Sequence, residues 1–176
     1  MQVRGKHLPS RDLLHQTTAI VARAGGARVI VNDRADVARL AGAAGVHVGQ
    51  DDLSPSAVRT LVGAEAVVGL STHTPSQRDA ALAEPVDYLA IGPVFGTATK
   101  DTGYTAVGLA RVNDVSVAAR QRGLPTVAIG GITLENAASV IAAGAASVAV
   151  ISDLLATGDP RERTRAYLQR LSRLSV

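Results

Sequence analysis

Three kinds of residue in this chain have the types and positions to handle phosphate. Arg4, Lys6 and Lys100 are cations, and Lys100 closes a threonine-rich stretch, "GTATK". Arginine and lysine suit a polyphosphate, the first through a planar fork and the second as a point charge. Asp33 and Asp52 are carboxylates with no lysine beside them in sequence. Hard oxygen ligands of this kind suit Mg²⁺ bound jointly with substrate phosphates. Gly130-Gly131 ahead of a helical stretch, and Ser152 at the start of another, can offer free backbone N–H groups to a phosphate. Together they describe two anion sites, one metal-assisted and one built from backbone. Each residue also has a plainer use. Asn32-Asp33 could cap a helix at 35–42, Asp51-Asp52 could form the turn before a helix at 55–62, and paired glycines are common turns. Lys6 and Lys100 taken singly read as solvated side chains. What unites the set is its position in the chain.

That position is the end of strands. Short β-branched runs, "ARVIV", "GVHVG", "AVVGLS", "DYLAIG", "PTVAIGG" and "ASVAVIS", alternate with Ala- and Leu-rich stretches of helical period. Strands that alternate with helices imply a parallel sheet, and their continuous apolar character implies cover on both faces. With Gln2-Val3-Arg4 counted first, strands are expected near 1–4, 28–32, 45–49, 66–71, 87–92, 126–130 and 147–151. Gln2, Arg4 and Lys6 alternate, which on an extended strand points all three to one side. "LAGAAGVHVG" and "AAGAASVAVIS" both read as helix end, glycine turn and buried strand, with Gly42 and Gly144 just past the helices. "SPSAVRTLV" and "TPSQRDAAL" carry helix-start signals. Nothing resembles a linker, so residues 1–176 read as one domain. Seven parallel strands suggest a barrel short of one member. An open doubly wound sheet stays possible, although no G-x-G-x-x-G follows the first strand.

Composition removes other classes. One Phe, three Tyr and no Trp are too few for base-stacking platforms, which argues against single-stranded nucleic acid as a partner. The absence of cysteine excludes disulfides, thiolate zinc sites and a cysteine nucleophile. The four histidines, His7, His15, His47 and His73, lack metal-ligand spacing; His47 reads as an ordinary strand residue. The arginines of the last helix, Arg163 among them, read as a solvated face. No apolar stretch reaches the length of a membrane span, and "MQVRGKHLPS" lacks the apolar core of a signal peptide, so a cytoplasmic location is expected.

"QVRGK", "VNDR", "GVHVGQDDL", "GLSTHT", "GPVFGTATK", "AIGGI" and "VAVIS" occur in order from Gln2 to about Leu155. With this set the chain resembles the thiamine phosphate synthases. The resemblance implies a TIM (β/α)₈-type barrel that joins 4-amino-2-methyl-5-hydroxymethylpyrimidine diphosphate to hydroxyethylthiazole phosphate, with Mg²⁺ as cofactor. Matched motif by motif, it implies that Gln2, Arg4, Lys6, Asn32, Ser71 and Lys100 hold the pyrimidine diphosphate. Among them Lys100, Arg4 and Ser71 would act in catalysis. Asp33 and Asp52 would ligate Mg²⁺. Thr97, Ala98 and Thr99, with Gly131, Ile151 and Ser152, would hold the thiazole phosphate. Lys100 and its threonines are expected to form a clamp over both substrates.

The chain begins at the motif that members of this group carry on their second strand, so a barrel without the first strand and helix is expected. Open edges at the Gln2 and Val148 strands would invite pairing with a second copy, making a homo-oligomer one outcome. Two other activities share the scaffold in principle: thiazole tautomerisation, and phosphate binding without catalysis. Asp33, Asp52 and the intact "GTATK" argue against a tautomerase, which has no departing pyrophosphate to neutralise.

Overall fold

A computed structural model describes residues 1–96 and 103–172. The candidate residues Thr97, Ala98, Thr99 and Lys100 lie outside the described residues. The chain forms two compact units, Met1–Ser71 with Ala83–Asp87, and Thr72–Leu82 with the chain from Tyr88 onward.

In the first unit β1 (Gln2–Val3), α1 (Ser10–Arg23), β2 (Ile30–Asn32), α2 (Ala35–Leu40), β3 (Gly45–Val48), α3 (Pro55–Val62) and all but the last residue of β4 (Val67–Thr72) alternate. β1 pairs parallel with β2 in the register Gln2 to Ile30, β2 with β3 as Asn32 to His47, and β3 with β4 as Val48 to Leu70. Every residue of β3 is buried, as a parallel strand covered on both faces requires. Val31, Val46 and Val68 have no exposed surface. Each such side chain contributes about 1.5–3 kcal/mol. α3 starts where Ser54 accepts the Ala57 N–H, with Pro55 in the first turn. Gly42 ends α2 at φ 65, and the next N–H, of Ala43, reaches back to the Ala38 carbonyl at 2.9 Å. That bond closes the glycine turn expected from sequence.

The second unit contains α4 (Pro75–Ala81), β5 (Tyr88–Ile91), α5 (Gly108–Gln121), β6 (Thr126–Ile129), α6 (Ala137–Ala142), β7 (Ser147–Ala149) and α7 (Pro160–Ser172). β5 pairs parallel with β6, and β6 with β7. Its core gathers Ile91, Val94, Val112, Ala128, Val140 and Tyr167, so α7 contributes through a tyrosine as well as through aliphatic residues. Thr74 opens α4 with a reciprocal capping box to Gln77.

Three local expectations need correction. β1 ends at Val3 and the chain then turns, with Leu8 N–H bonded to the Gly5 carbonyl at 3.1 Å, so strand alternation does not carry through Arg4 to Lys6. Helix α6 begins at Ala137, several residues beyond Gly131, and Ser152 opens a single 3₁₀ turn, Ser152–Leu155. Neither short element supplies a helix N-terminus directly behind the expected phosphate site. Asn32-Asp33 does not cap α2 either. Arg34 occupies that position without a side-chain cap bond.

Candidate active site

In the first unit the end of β2 turns sharply. Asp33 adopts φ 62, the one left-handed backbone outside glycine among the described residues. Asp tolerates this region better than most residues, yet it still costs on the order of 1 kcal/mol. The turn is held by the Asp33 N–H to the His47 carbonyl and the Arg34 N–H to the Asn32 carbonyl, both at 2.8 Å. It brings the Asp33 carboxylate to Lys6 Nζ at 3.1 Å. Asp52 also interacts with Asp33 through its side chain. Asp52 is itself fixed by the Gly49 N–H, which donates to its Oδ2 at 2.8 Å. Burial pushes the Asp33 carboxyl above its ordinary value and the neighbouring Asp52 adds to the rise, while Lys6 opposes it. Two carboxylates facing one lysine leave a surplus of negative charge, which a divalent cation would relieve. Among the described residues no group of three or more His, Asp or Glu side chains could hold a metal. A cation here would take two protein carboxylates and fill its shell from substrate and water, the usual arrangement for Mg²⁺.

Two strands further on, Ser71 is held at both ends. Its hydroxyl meets His47 Nε2 at 2.8 Å, and its carbonyl accepts from Gln50 Nε2 at 2.6 Å. His47 is buried, so the serine hydroxyl has a fixed direction. His47, Gln50 and Gly49 were not among the expected site residues. The legible signal for His47 was a polar side chain inside "GVHV", because a buried imidazole needs a partner. Asn32 is half-buried beside this group, whereas Gln2 and Arg4 are exposed.

In the second unit the loops leaving β5 and β6 run side by side. Val94 N–H donates to the Ile129 carbonyl at 2.9 Å and Phe95 N–H to the Gly130 carbonyl at 3.0 Å. Gly131, at φ 64, lies so close to this strip that a Cβ would sit 2.5 Å from the Gly96 carbonyl oxygen and 2.8 Å from Phe95 Cβ. Asn136 ties down the exit of the turn, donating to the Gly131 carbonyl at 3.2 Å and accepting from the Thr133 N–H at 2.9 Å. After β7, Ile151 and Ser152 are exposed. The next residue, Asp153, is nearly buried and accepts from Arg163, Tyr167 and the Leu134 N–H. Arg163 thus does not belong to a solvated face: its side chain is 15% exposed. Its bonds hold the Asp153 carboxyl below the ordinary range. His73 stacks on Tyr104 with ring centroids 4.0 Å apart, and Gln77 Nε2 donates to the Tyr104 hydroxyl at 3.2 Å.

Lys6, Asp33 and Asp52 therefore come together, as do Ser71 and His47. Gly131 forms part of a tight backbone strip. The chemistry available is electrostatic: a lysine, a carboxylate pair fit for a cation, an oriented hydroxyl and close-packed backbone turns.

The sequence matches the family described as thiamine monophosphate synthase over residues 1–154. A thiamine-phosphate synthase from Koribacter versatilis (strain Ellin345) is 49% identical over 172 residues, spanning 97% of this chain and 79% of the relative. One from Methanoculleus marisnigri (strain ATCC 35101 / DSM 1498 / JR1) is 43% identical over 174 residues, 98% of this chain and 81% of the relative. Among solved structures, thiamine phosphate pyrophosphorylase from Pyrococcus furiosus superposes with a TM-score of 0.89 at 27% identity, over 99% of this chain and 83% of that one. The fold is of the α/β, TIM-like type expected from the sequence.

Proposed function

We propose, from the premise that this chain belongs to the thiamine monophosphate synthase family, that it is a transferase joining a pyrimidinylmethyl diphosphate to a hydroxyethylthiazole phosphate, giving thiamine phosphate and pyrophosphate. The observation that carries the reading is the Asp33–Asp52–Lys6 group. A backbone held in a costly conformation to set one carboxylate beside another is poor structural economy but suits metal-assisted diphosphate binding. Thiazole tautomerisation has no departing diphosphate for this group to neutralise.

The bond that breaks joins the pyrimidine methylene carbon to the diphosphate oxygen, and its electron pair leaves with pyrophosphate. The bond that forms uses the lone pair of the thiazole nitrogen, so the product ring carries the positive charge and no proton moves. Such a step needs no general base and no covalent nucleophile. It needs charge at the leaving group and a thiazole held in line. Mg²⁺, held by Asp33 and Asp52 with the diphosphate oxygens, would supply part of that charge. Lys6 adds an ammonium to the same place, and Arg4 and Lys100 would serve as further cations for the diphosphate. Ser71, aimed by His47, and Asn32 and Gln2 orient the pyrimidine. Gly131, Ile151 and Ser152, with Thr97, Ala98 and Thr99, hold the thiazole phosphate. Excess charge on both substrates keeps them from crossing membranes unaided, which supports a cytoplasmic location; no helix among the described residues is long and apolar enough to span a membrane.

Calorimetry with the product pyrophosphate tests this reading. Binding should require Mg²⁺ and be lost in Asp52→Ala. Pyrophosphate that binds equally without Mg²⁺, or equally to the variant, would overturn it.

A further inference from the structure

Backbone anion sites have no long side chain to adjust their reach, so their geometry depends on whatever holds the loops. On the β6 side, Leu134 lies three residues beyond Gly131. On the β7 side, Asp153 directly follows Ser152. The Asp153 carboxylate joins the two. Its Oδ2 accepts from the Leu134 N–H at 3.2 Å, the Tyr167 hydroxyl at 2.6 Å and Arg163 Nε at 3.0 Å, and its Oδ1 accepts from the other arm of the Arg163 fork at 3.0 Å. Arg163 and Tyr167 stand four residues apart on one face of α7, so one helix supplies both clamps. Arg163 also reaches Glu135 at 3.3 Å, adding a second tie to the β6 loop. A forked Arg–carboxylate pair fixes orientation as well as distance.

We propose that Asp153 is a positioning residue for the thiazole phosphate, locking the loops after β6 and β7 to α7 so that Gly131 and Ser152 face one anion. The inference rests on the reading of those loops as the thiazole phosphate site. Asp153 does not touch the substrate. Its negative charge is answered by Arg163, so it does not repel the phosphate it helps to seat. A purely structural carboxylate would make the same bonds, and the two roles separate in kinetics.

The test uses the full chain with Asp153→Asn, which keeps shape and an acceptor for the Leu134 N–H but cannot pair as a charge with the Arg163 fork. Arg163→Lys and Tyr167→Phe carry the same test should Asp153→Asn fail to fold. Hydroxyethylthiazole phosphate is titrated by calorimetry into each protein, and KM is measured for both substrates. The thiazole phosphate Kd and KM should rise on the order of 10-fold, about 1.4 kcal/mol, the net worth of about one hydrogen bond to the phosphate. The pyrimidine diphosphate KM and the saturated kcat should stay within about 2-fold, because only one substrate's binding is disturbed. Thiazole phosphate binding that is equal or tighter in all the variants overturns the inference while leaving the function intact. So does a lowered Tm and kcat with both KM values unchanged, the mark of a merely structural role. A wild-type protein that binds pyrophosphate with Mg²⁺ but never the thiazole phosphate overturns the site reading and the inference together.

Discussion

Replacing Gly131 by alanine isolates what the β6 turn requires, because the chain contains its own control. Gly42 has φ 65 and Gly131 φ 64, so alanine meets the same backbone strain at both. Around Gly42 a new Cβ finds nothing within 4 Å, whereas at Gly131 it lies 2.5 Å from the Gly96 carbonyl oxygen. The left-handed conformation costs an alanine about 1–2 kcal/mol. Alanine recovers roughly 0.4–1 kcal/mol by restricting the unfolded chain. Gly42→Ala should therefore destabilise by about 0.5–1 kcal/mol. Gly131→Ala adds the overpacking cost of about 1–3 kcal/mol, since a backbone oxygen cannot rotate away as a side chain can. Its total is about 1.5–4 kcal/mol. At about 2–4 °C per kcal/mol for a chain of this size, Gly42→Ala should lower Tm by roughly 1–4 °C and Gly131→Ala by roughly 3–16 °C. Scanning calorimetry reads both. Gly131→Ala should also raise KM for the thiazole phosphate, while Gly42→Ala leaves it alone. Two variants that melt within about 1 °C of each other would refute the close approach at Gly131.

Asp52→Ala should cut turnover by on the order of 10²–10³, the scale for one charge-stabilising group, with thiazole phosphate binding unchanged by calorimetry. Ser71→Ala and His47→Ala act on one hydrogen bond of 2.8 Å, so the double variant should lose no more turnover than the worse single one; additive losses in a double-mutant cycle would separate them. Asp153 has its folded-state value displaced below the ordinary 3.8, so its contribution is complete above that value and disappears as pH falls through the lower one. The Tm gap between wild type and Asp153→Asn should hold steady across neutral pH and close in acid below about pH 4. Asp33 is displaced upward, so its ionisation weakens the folded state as pH rises through its folded value. Asp33→Asn should therefore gain Tm relative to wild type as pH rises, measured without Mg²⁺.

The strand sequence was legible because parallel strands leave continuous β-branched runs, and Ser54-Pro55 and Thr74-Pro75 marked α3 and α4 through local capping chemistry. What failed depended on where a period stops or on contacts between distant elements. The alternation drawn through Gln2, Arg4 and Lys6 assumed a strand that ends at Val3, yet Lys6 still reaches the site through a turn. The left-handed Asp33 has no sequence signature, since Asn-Asp serves equally as a cap or a turn. His47 and Ser71 meet only because the β3–β4 register sets them near each other. Asp153 and Arg163 are ten residues apart across a 3₁₀ turn, and an arginine-rich helix face gives no hint that one arginine points inward.

The proposed reaction makes a carbon–nitrogen bond while expelling pyrophosphate. A single-turnover time course by phosphorus NMR tests it most directly, with excess protein, Mg²⁺, the pyrimidine diphosphate and hydroxyethylthiazole phosphate. The diphosphate ester signals should disappear and one pyrophosphate should appear for each thiamine phosphate, with neither product when Mg²⁺ or the thiazole phosphate is left out. Unchanged spectra, or pyrophosphate released without thiamine phosphate, would contradict it.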